Sequence, residues 1–188
     1  MNLILASQSP RRQELIKLLN IPFRVQVADI DETMDSTKSV YDEVARVSLM
    51  KARAIGATEE IVVAADTVVV CDGQALGKPQ DEADAFRMLS MLSGRSHQVM
   101  TGLSVVAGSK EISVTEVTDV YFRELTEEEI LAYIRTKDPM DKAGSYGIQS
   151  GAAVFVEKIY GDYFNVVGLP VCRLGQLLKE VTPVEEKP

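Results

Sequence analysis

Apolar residues fall in short blocks along the chain, and their spacing alternates between the strand and helix periods. The run Leu3-Ile4-Leu5 predicts a strand over residues 2–6, and the pattern of 9–20 predicts a helix. "FRVQV" predicts a second strand, and 40–56 a second helix. "IVVAADTVVVC" is strand material, and Asp72-Gly73 is a strong hairpin signal between it and "QALG". A helix follows over 81–92. "QVMTGLSVVA" and "ISVTEVTDVYF" predict two long strands joined at "GSKE" in a second hairpin. A helix over 126–137 comes next, and "GAAVFVEKI" and "YFNVVG" flank a third turn at Gly161-Asp162. A helix over 170–180 closes the pattern, and 181–188 reads as a frayed tail. Early strand–helix alternation followed by hairpins predicts an α/β protein with a mixed sheet rather than a purely parallel one. With 188 residues and no internal repeat or linker, the expectation is a single domain or two small lobes sharing a cleft.

The helix starts differ in charge. "LTEEEILAYI" has Thr126 as cap and Glu129 at the capping-box position, and Ser39 and Asp42 stand in the same relation. The helix over 81–92 opens with Asp81 and Glu82. All three place acids where the helix dipole favours them. "ASQSPRR" does the opposite. Ser9 is a plausible cap and Pro10 suits the first helical position, which leaves Arg11 and Arg12 in the first turn. Two readings stand at this point: an anion bound at this helix start that reverses the local charge balance, or two solvated arginines on a surface turn.

Asp66 is the sharpest anomaly, being the only charged residue in the run from Ile61 to Cys71. A carboxylate in such surroundings costs several kcal/mol, roughly, unless a cation or hydrogen bonds accept it. The plain alternative is a strand break at Asp66-Thr67, but "TVVVC" resumes the strand pattern, which favours a functional carboxylate. Lys51 lies on the helical stripe Val40, Val44, Val47, Lys51, Ile55. It either extends its head out of that stripe or directs it at a buried anion. Lys78, in "LGKPQDEA", stands before an acidic helix start and can be read as a loop lysine. "DKAGSYGIQSG" holds three glycines that let backbone approach a ligand, and Gln149 offers a donor and an acceptor to a base edge. Taken alone, it is more simply a flexible loop. Glu32, in the acidic stretch with Asp29 and Asp31, is a candidate partner of Asp66 on a hard cation, or part of a solvated loop.

Charge and composition narrow the chemistry. A formal net charge of −8 argues against nucleic acid or an anionic membrane as partner, so any anion site must be local. Cys71 and Cys172 lie far apart in apolar surroundings and read as buried thiols in a reducing compartment. The N-terminal apolar run is short for a signal-peptide core, and no stretch approaches a membrane span, so the expected compartment is the cytoplasm. There is no P-loop and no G-x-G-x-x-G fingerprint. His97 is the only histidine and has no partner motif, which disfavours a zinc site or a serine triad. Carboxylates, Arg, Lys and a glycine-containing loop remain, a set suited to metal-assisted hydrolysis of a phosphorylated small molecule.

Taken in order, "LILASQSPRRQELI", "AADTVVV…LGKP", "LSGRSHQVMTGLSV", "DKAGSYGIQ" and "GDYFNVVGLP" resemble the Maf family of nucleoside triphosphate pyrophosphatases over nearly the whole chain. The resemblance implies an inosine-triphosphatase-like α/β fold: a mixed, largely antiparallel twisted sheet with flanking helices and a deep central cleft. It also implies cleavage between the α and β phosphates with a divalent cation, Mg²⁺ or Mn²⁺. On this resemblance Asp66 is the proton acceptor, and Lys51 and Lys78 act with it in catalysis. Ser7, Arg11 and Arg12 bind the phosphates, and Glu32 and Asp66 hold the metal. In the branch that prefers dTTP and UTP the motifs read S-P-R-R, a threonine after the aspartate, and Y-G-I-Q. Ser9-Pro10-Arg11-Arg12, Thr67 and Tyr146-Gly147-Ile148-Gln149 match, with Thr67 and Gln149 in substrate selection. Ser150, where related chains often carry glycine, is a minor departure.

The expected partners are therefore a nucleoside triphosphate and a divalent cation, with no nucleic acid or membrane and with a homodimer left open. Modified pyrimidine triphosphates stay open as further substrates. Two rival readings are a pyrophosphatase for modified purine triphosphates such as 7-methyl-GTP, and a nucleotide-binding regulator of cell division or septum formation with little turnover.

Overall fold

The computed structural model describes residues 1–27, 29–56 and 58–182. The strands are β1 (Leu3–Leu5), β2 (Phe23–Val25), β3 (Ile61–Cys71), β4 (Gln74–Leu76), β5 (Ser96–Ala107), β6 (Lys110–Phe122) and β7 (Val156–Tyr160). The helices are α1 (Pro10–Ile16), α2 (Val40–Arg53), α3 (Glu82–Leu92), α4 (Glu127–Arg135), α5 (Tyr163–Val167) and α6 (Val171–Val181). The seven strands form one mixed, largely antiparallel sheet in the order β2-β1-β3-β5-β6-β7, with β4 paired to β3. β1 runs parallel to β2 and β3, whereas β3–β4 and β6–β7 are antiparallel.

Local chemistry explains most boundaries. Thr126 and Glu129 complete the expected capping box of α4, and Ser39 and Asp81 accept from the Asp42 and Asp84 amides to cap α2 and α3. Asp72 and Gly73 both adopt positive φ, 50° and 76°, as the tight turn between β3 and β4 requires. The β5–β6 hairpin turns at Gly108-Ser109. Two expectations near the C-terminus are corrected. "GAAVF" forms a 3₁₀ turn ahead of β7, and "YFNVV" is the short helix α5 rather than strand-like. There Asp162 accepts from the Phe164 amide, and Asn165 turns inward to donate to Val99 O and Thr118 Oγ1. That inward amide needs interior acceptors, which β5 and β6 supply to a side chain carried by the short helix. Of the expected tail, Val181 belongs to α6, and 183–188 lie outside the described residues.

The chain divides into two compact units. The first comprises Met1–Asp66, Thr101–Glu116 and Gly168–Pro188, and the second Thr67–Met100 and Val117–Val167. In the first, α2 lies directly on β5: a Cβ at Gly102 would meet the Val44 carbonyl oxygen at 2.1 Å. Val44 and Val47 are fully buried at this contact. Three hydroxyls stitch it, Ser48 to Ser104 at 2.5 Å and Ser104 to Ser113 at 2.9 Å, with Ser113 donating to Ala45 O at 3.1 Å. Their mutual pairing removes the penalty of burying Ser48 and Ser104.

The second unit has its own core, built on Leu89, Leu92, Val120, Phe122 and Phe155. The expected flexible loop over 141–151 is instead tied down. Tyr146 is buried and reaches His97 Nε2 at 2.8 Å, and Asp138 accepts from Tyr133 Oη and Ser150 Oγ, each at 2.5 Å. A Cβ at Gly144 would strike Val69 at 2.6 Å, and one at Gly147 would strike Ser150 Oγ at 2.6 Å. These two glycines answer to packing within the protein. Burial also differs for the thiols: Cys71 is buried, but Cys172 is exposed on α6, contrary to expectation.

Candidate active site

The site grows from the ends of the parallel strands. Leu3 pairs with Ile61 and Leu5 with Val63. Just beyond β1 the Ala6 amide donates to Val63 O at 2.8 Å, three residues before Asp66 in β3. The chain leaves β1 through Ser7 and turns at once into α1, where Ser9 accepts weakly from the Arg12 amide at 3.5 Å and Pro10 takes the first position. Loops at the carboxyl ends of parallel strands are where α/β folds commonly gather functional groups.

Arg12 is not a solvated surface arginine. It is half-buried, its Nε donates to Gly168 O at 2.8 Å and its Nη1 to Ser7 Oγ at 3.2 Å. Ser7 is itself buried and also accepts from the Ser9 amide at 3.2 Å. Desolvation pulls the Arg12 pKa below its ordinary value. The charges of Asp66 and Glu32 oppose that shift, and neighbouring Arg11 adds to it. Arg11 is half-buried beside it.

Asp66 sits inside β3 with no break in the strand, which removes the turn alternative. Its carboxylate is met by Lys51 from α2: Nζ lies 2.6 Å from Asp66 Oδ1 and 2.9 Å from Glu32 Oε2. Lys51 and Asp66 side chains are each 13% exposed, while Glu32 is 59% exposed. Exposure of this kind leaves the outer carboxylate accessible while the inner pair is largely withdrawn from water. The apolar stripe of α2 thus turns Lys51 inward onto a carboxylate. Glu32, Lys51 and Asp66, separated widely in sequence, form one cluster within the first unit, and Arg12 feels both of its carboxylates.

Three other predicted residues belong to the second unit. Thr67 follows Asp66 in β3 and is half-buried, Lys78 is exposed on the connection between β4 and α3, and Gln149 is exposed. His97 stays apart from this chemistry. It is 3% exposed, stacks edge-on against Phe122 and Tyr146, and burial lowers its pKa to about 4.

Sequence reasoning passed over Glu43. It stands in the first turn of α2, where an acid is ordinary, yet it is only 1% exposed. Arg46 meets it at 2.7 Å and the Asp35 amide donates to it at 2.7 Å. The i, i+3 spacing to Arg46 was the visible signal, but nothing in the pattern distinguished it from a surface pair.

The model of the family described as Maf-like protein matches residues 2–181. The chain belongs to the Maf-like family. It is 51% identical over 179 residues to the dTTP/UTP pyrophosphatase of Bacillus cytotoxicus, covering 94% of each chain. It is 48% identical over 180 residues to the enzyme of the same name in Bacillus cereus strain AH187, covering 95% of this chain and 94% of that one. Among solved structures, a HAM1 protein from Coxiella burnetii superposes with a TM-score of 0.53 at 18% identity, covering 96% of this chain and 99% of that one. The Ham1 protein of Staphylococcus aureus gives 0.50 at 14% identity, covering 96% and 98%. These two likenesses establish that this Maf-like chain has the expected inosine-triphosphatase-like α/β architecture. Among the described residues, no helix is long and apolar enough to cross a membrane.

Proposed function

We propose that the chain is a nucleoside triphosphate pyrophosphatase that hydrolyses dTTP and UTP, acting in the cytoplasm. The observation that carries this reading is the Lys51 ammonium shared between Asp66 and Glu32 beside the desolvated Arg12 guanidinium. The names of its half-identical relatives favour the same substrates.

In this reading Arg12, positioned by Gly168 O and Ser7 Oγ, places its guanidinium charge against a phosphate oxygen, and an arriving anion offsets its desolvation. Asp66 accepts the proton of the water that attacks the α-phosphorus. The bond from that phosphorus to the bridging oxygen of the β-phosphate breaks, and pyrophosphate leaves with the electron pair. Lys51 holds Asp66 in place during the attack and carries positive charge next to the phosphates. Following the family motifs, Arg11 and Lys78 add charge to the phosphates, while Thr67 and Gln149 select the base.

Glu32 and Asp66 also fit a hard divalent cation, Mg²⁺ or Mn²⁺. Two carboxylates meeting at one ammonium already form a site for positive charge, and such ions often take one or two carboxylates plus phosphate oxygens. No group of three such ligands occurs among the described residues, which suits an ion shared with substrate rather than caged by protein. When bound, the ion would neutralise phosphate charge and polarise the reacting groups.

The deciding experiment is a nucleotide panel incubated with Mg²⁺, with monophosphate and pyrophosphate measured. The expected result is turnover highest on dTTP and UTP. A preference for 7-methyl-GTP or ITP would overturn the substrate assignment, and binding without turnover would overturn the enzymatic reading.

A further inference from the structure

Glu43 and Arg46 occupy one face of α2, a turn and more ahead of Lys51. Both Glu43 oxygens are occupied. Arg46 Nε lies 2.9 Å from each of them and Nη2 lies 2.7 Å from Oε2, while Oε2 also accepts from the Asp35 amide at 2.7 Å. Arg46 Nη2 then reaches past Glu43 and donates to Thr33 O at 2.9 Å. Glu32 immediately precedes the first of these two anchors. Asp31 and Asp35 each close a local turn, accepting from the Thr33 and Thr37 amides at 2.9 Å. The same helix therefore grips the backbone on the C-terminal side of Glu32 at two points and presents Lys51 to its carboxylate.

This arrangement is costly to build for any lesser purpose. A carboxylate 1% exposed must be matched by charge and hydrogen bonds, and an isolated surface turn needs neither. A 59% exposed glutamate has many rotamers and little reason to stay on Lys51 unless its backbone is held. The brace supplies that restraint through backbone contacts, so it works whichever side chains occupy 33–35.

We infer that Glu43 and Arg46 are positioning residues that hold Glu32 at the Lys51–Asp66 pair and thereby set how tightly the site takes a divalent cation. The inference rests on the cation role proposed above for Glu32.

The test uses Arg46→Met, Arg46→Lys, Glu32→Gln and the double variant Arg46→Met/Glu32→Gln in the full chain. Two quantities are read: the Mn²⁺ concentration giving half-maximal pyrophosphate release from dTTP, and Mn²⁺ affinity by electron paramagnetic resonance with the non-hydrolysable α,β-imido analogue of dTTP. Arg46→Met is expected to weaken both by about tenfold, the scale of lost outer-shell support around a metal ligand. The rate at saturating Mn²⁺ should fall by less than that. The double variant should be no more than about twofold worse than Glu32→Gln alone, because one residue acts through the other. Arg46→Lys keeps charge on Glu43 without the planar fork to Thr33 O, and it carries the same comparison if Arg46→Met does not fold. Multiplying effects in the double variant, or a rate loss with Mn²⁺ affinity unchanged, would overturn the brace. If Glu32→Gln itself leaves Mn²⁺ affinity unchanged, the cation role of Glu32 falls and the brace falls with it. If only the Arg46 variants are silent, the brace alone fails.

Discussion

Lys51 Nζ stands 2.6 Å from Asp66 Oδ1, joining the buried side of helix α2 to the middle of strand β3. Each residue breaks the apolar pattern of its own element, and each supplies what the other lacks. An unpaired carboxylate or ammonium at this depth would be strongly disfavoured.

Asp66→Asn keeps an oxygen facing Lys51 but removes the proton acceptor. Turnover of dTTP should fall by roughly 10²- to 10⁴-fold, the range typical of general-base loss, while Glu32, 2.9 Å from Lys51, still pairs the ammonium and keeps the variant folded. Pyrophosphate release and a melting curve on the same preparation check this. Near-normal turnover would exclude Asp66 as the base.

Arg12→Lys keeps the positive charge and loses the fork that spans Gly168 O and Ser7 Oγ. An ammonium presents its donors from one nitrogen and cannot reproduce the spacing by which Nε meets Gly168 O and Nη1 meets Ser7 Oγ. KM for dTTP should rise about tenfold, and stability should drop by about 1 kcal/mol from the weakened hydrogen bonds. An unchanged KM with the same stability loss would reduce Arg12 to a structural tie.

His97 makes stability depend on pH. Its folded pKa of about 4 lies below the ordinary 6.5, so the unfolded chain binds the proton more readily. Its contribution is fully present above pH 6.5, fades as the pH falls, and is lost by pH 4. The span corresponds to about 3 kcal/mol. Denaturant titrations across pH 4–6.5 should show this slope, and His97→Phe should flatten it even though Tyr146 loses a partner. An equal slope in the variant would assign the effect to other groups.

Much of this was legible in the sequence because the signals are local. β3 follows a strand pattern that resumes beyond Asp66-Thr67, its turn follows Asp72-Gly73, and α4 follows its capping box. Asp66 and Lys51 were visible because each violates the pattern of its own element. Glu43 was not, since a first-turn acid is expected on any helix and only tertiary contacts show it to be buried. "YFNVV" was misread for a related reason. Its apolar run suits either geometry, and the deciding contacts of Asn165 lie with Val99 and Thr118, distant in sequence.

Gly102 tests how the cluster is seated. A Cβ there would lie 2.1 Å from Val44 O, and its neighbour across the contact is helix backbone, which cannot rotate away as a side chain can. Gly102→Ala must therefore lift α2 from β5, straining the Ser48–Ser104 hydrogen bond and shifting Lys51 relative to Asp66. Overpacking of this kind costs about 3 kcal/mol, or roughly 6–12 °C in Tm for a chain of this size. Turnover should fall with it, because a displacement of about 1 Å near the chemistry suffices for a large rate loss. Gly77→Ala is the control: nothing lies within 4 Å of its added Cβ, so stability should stay within about 0.5 kcal/mol. If Gly102→Ala melts like Gly77→Ala, α2 is not seated on β5 by that contact, and the placement of Lys51 must depend on the serine hydroxyls and valines instead.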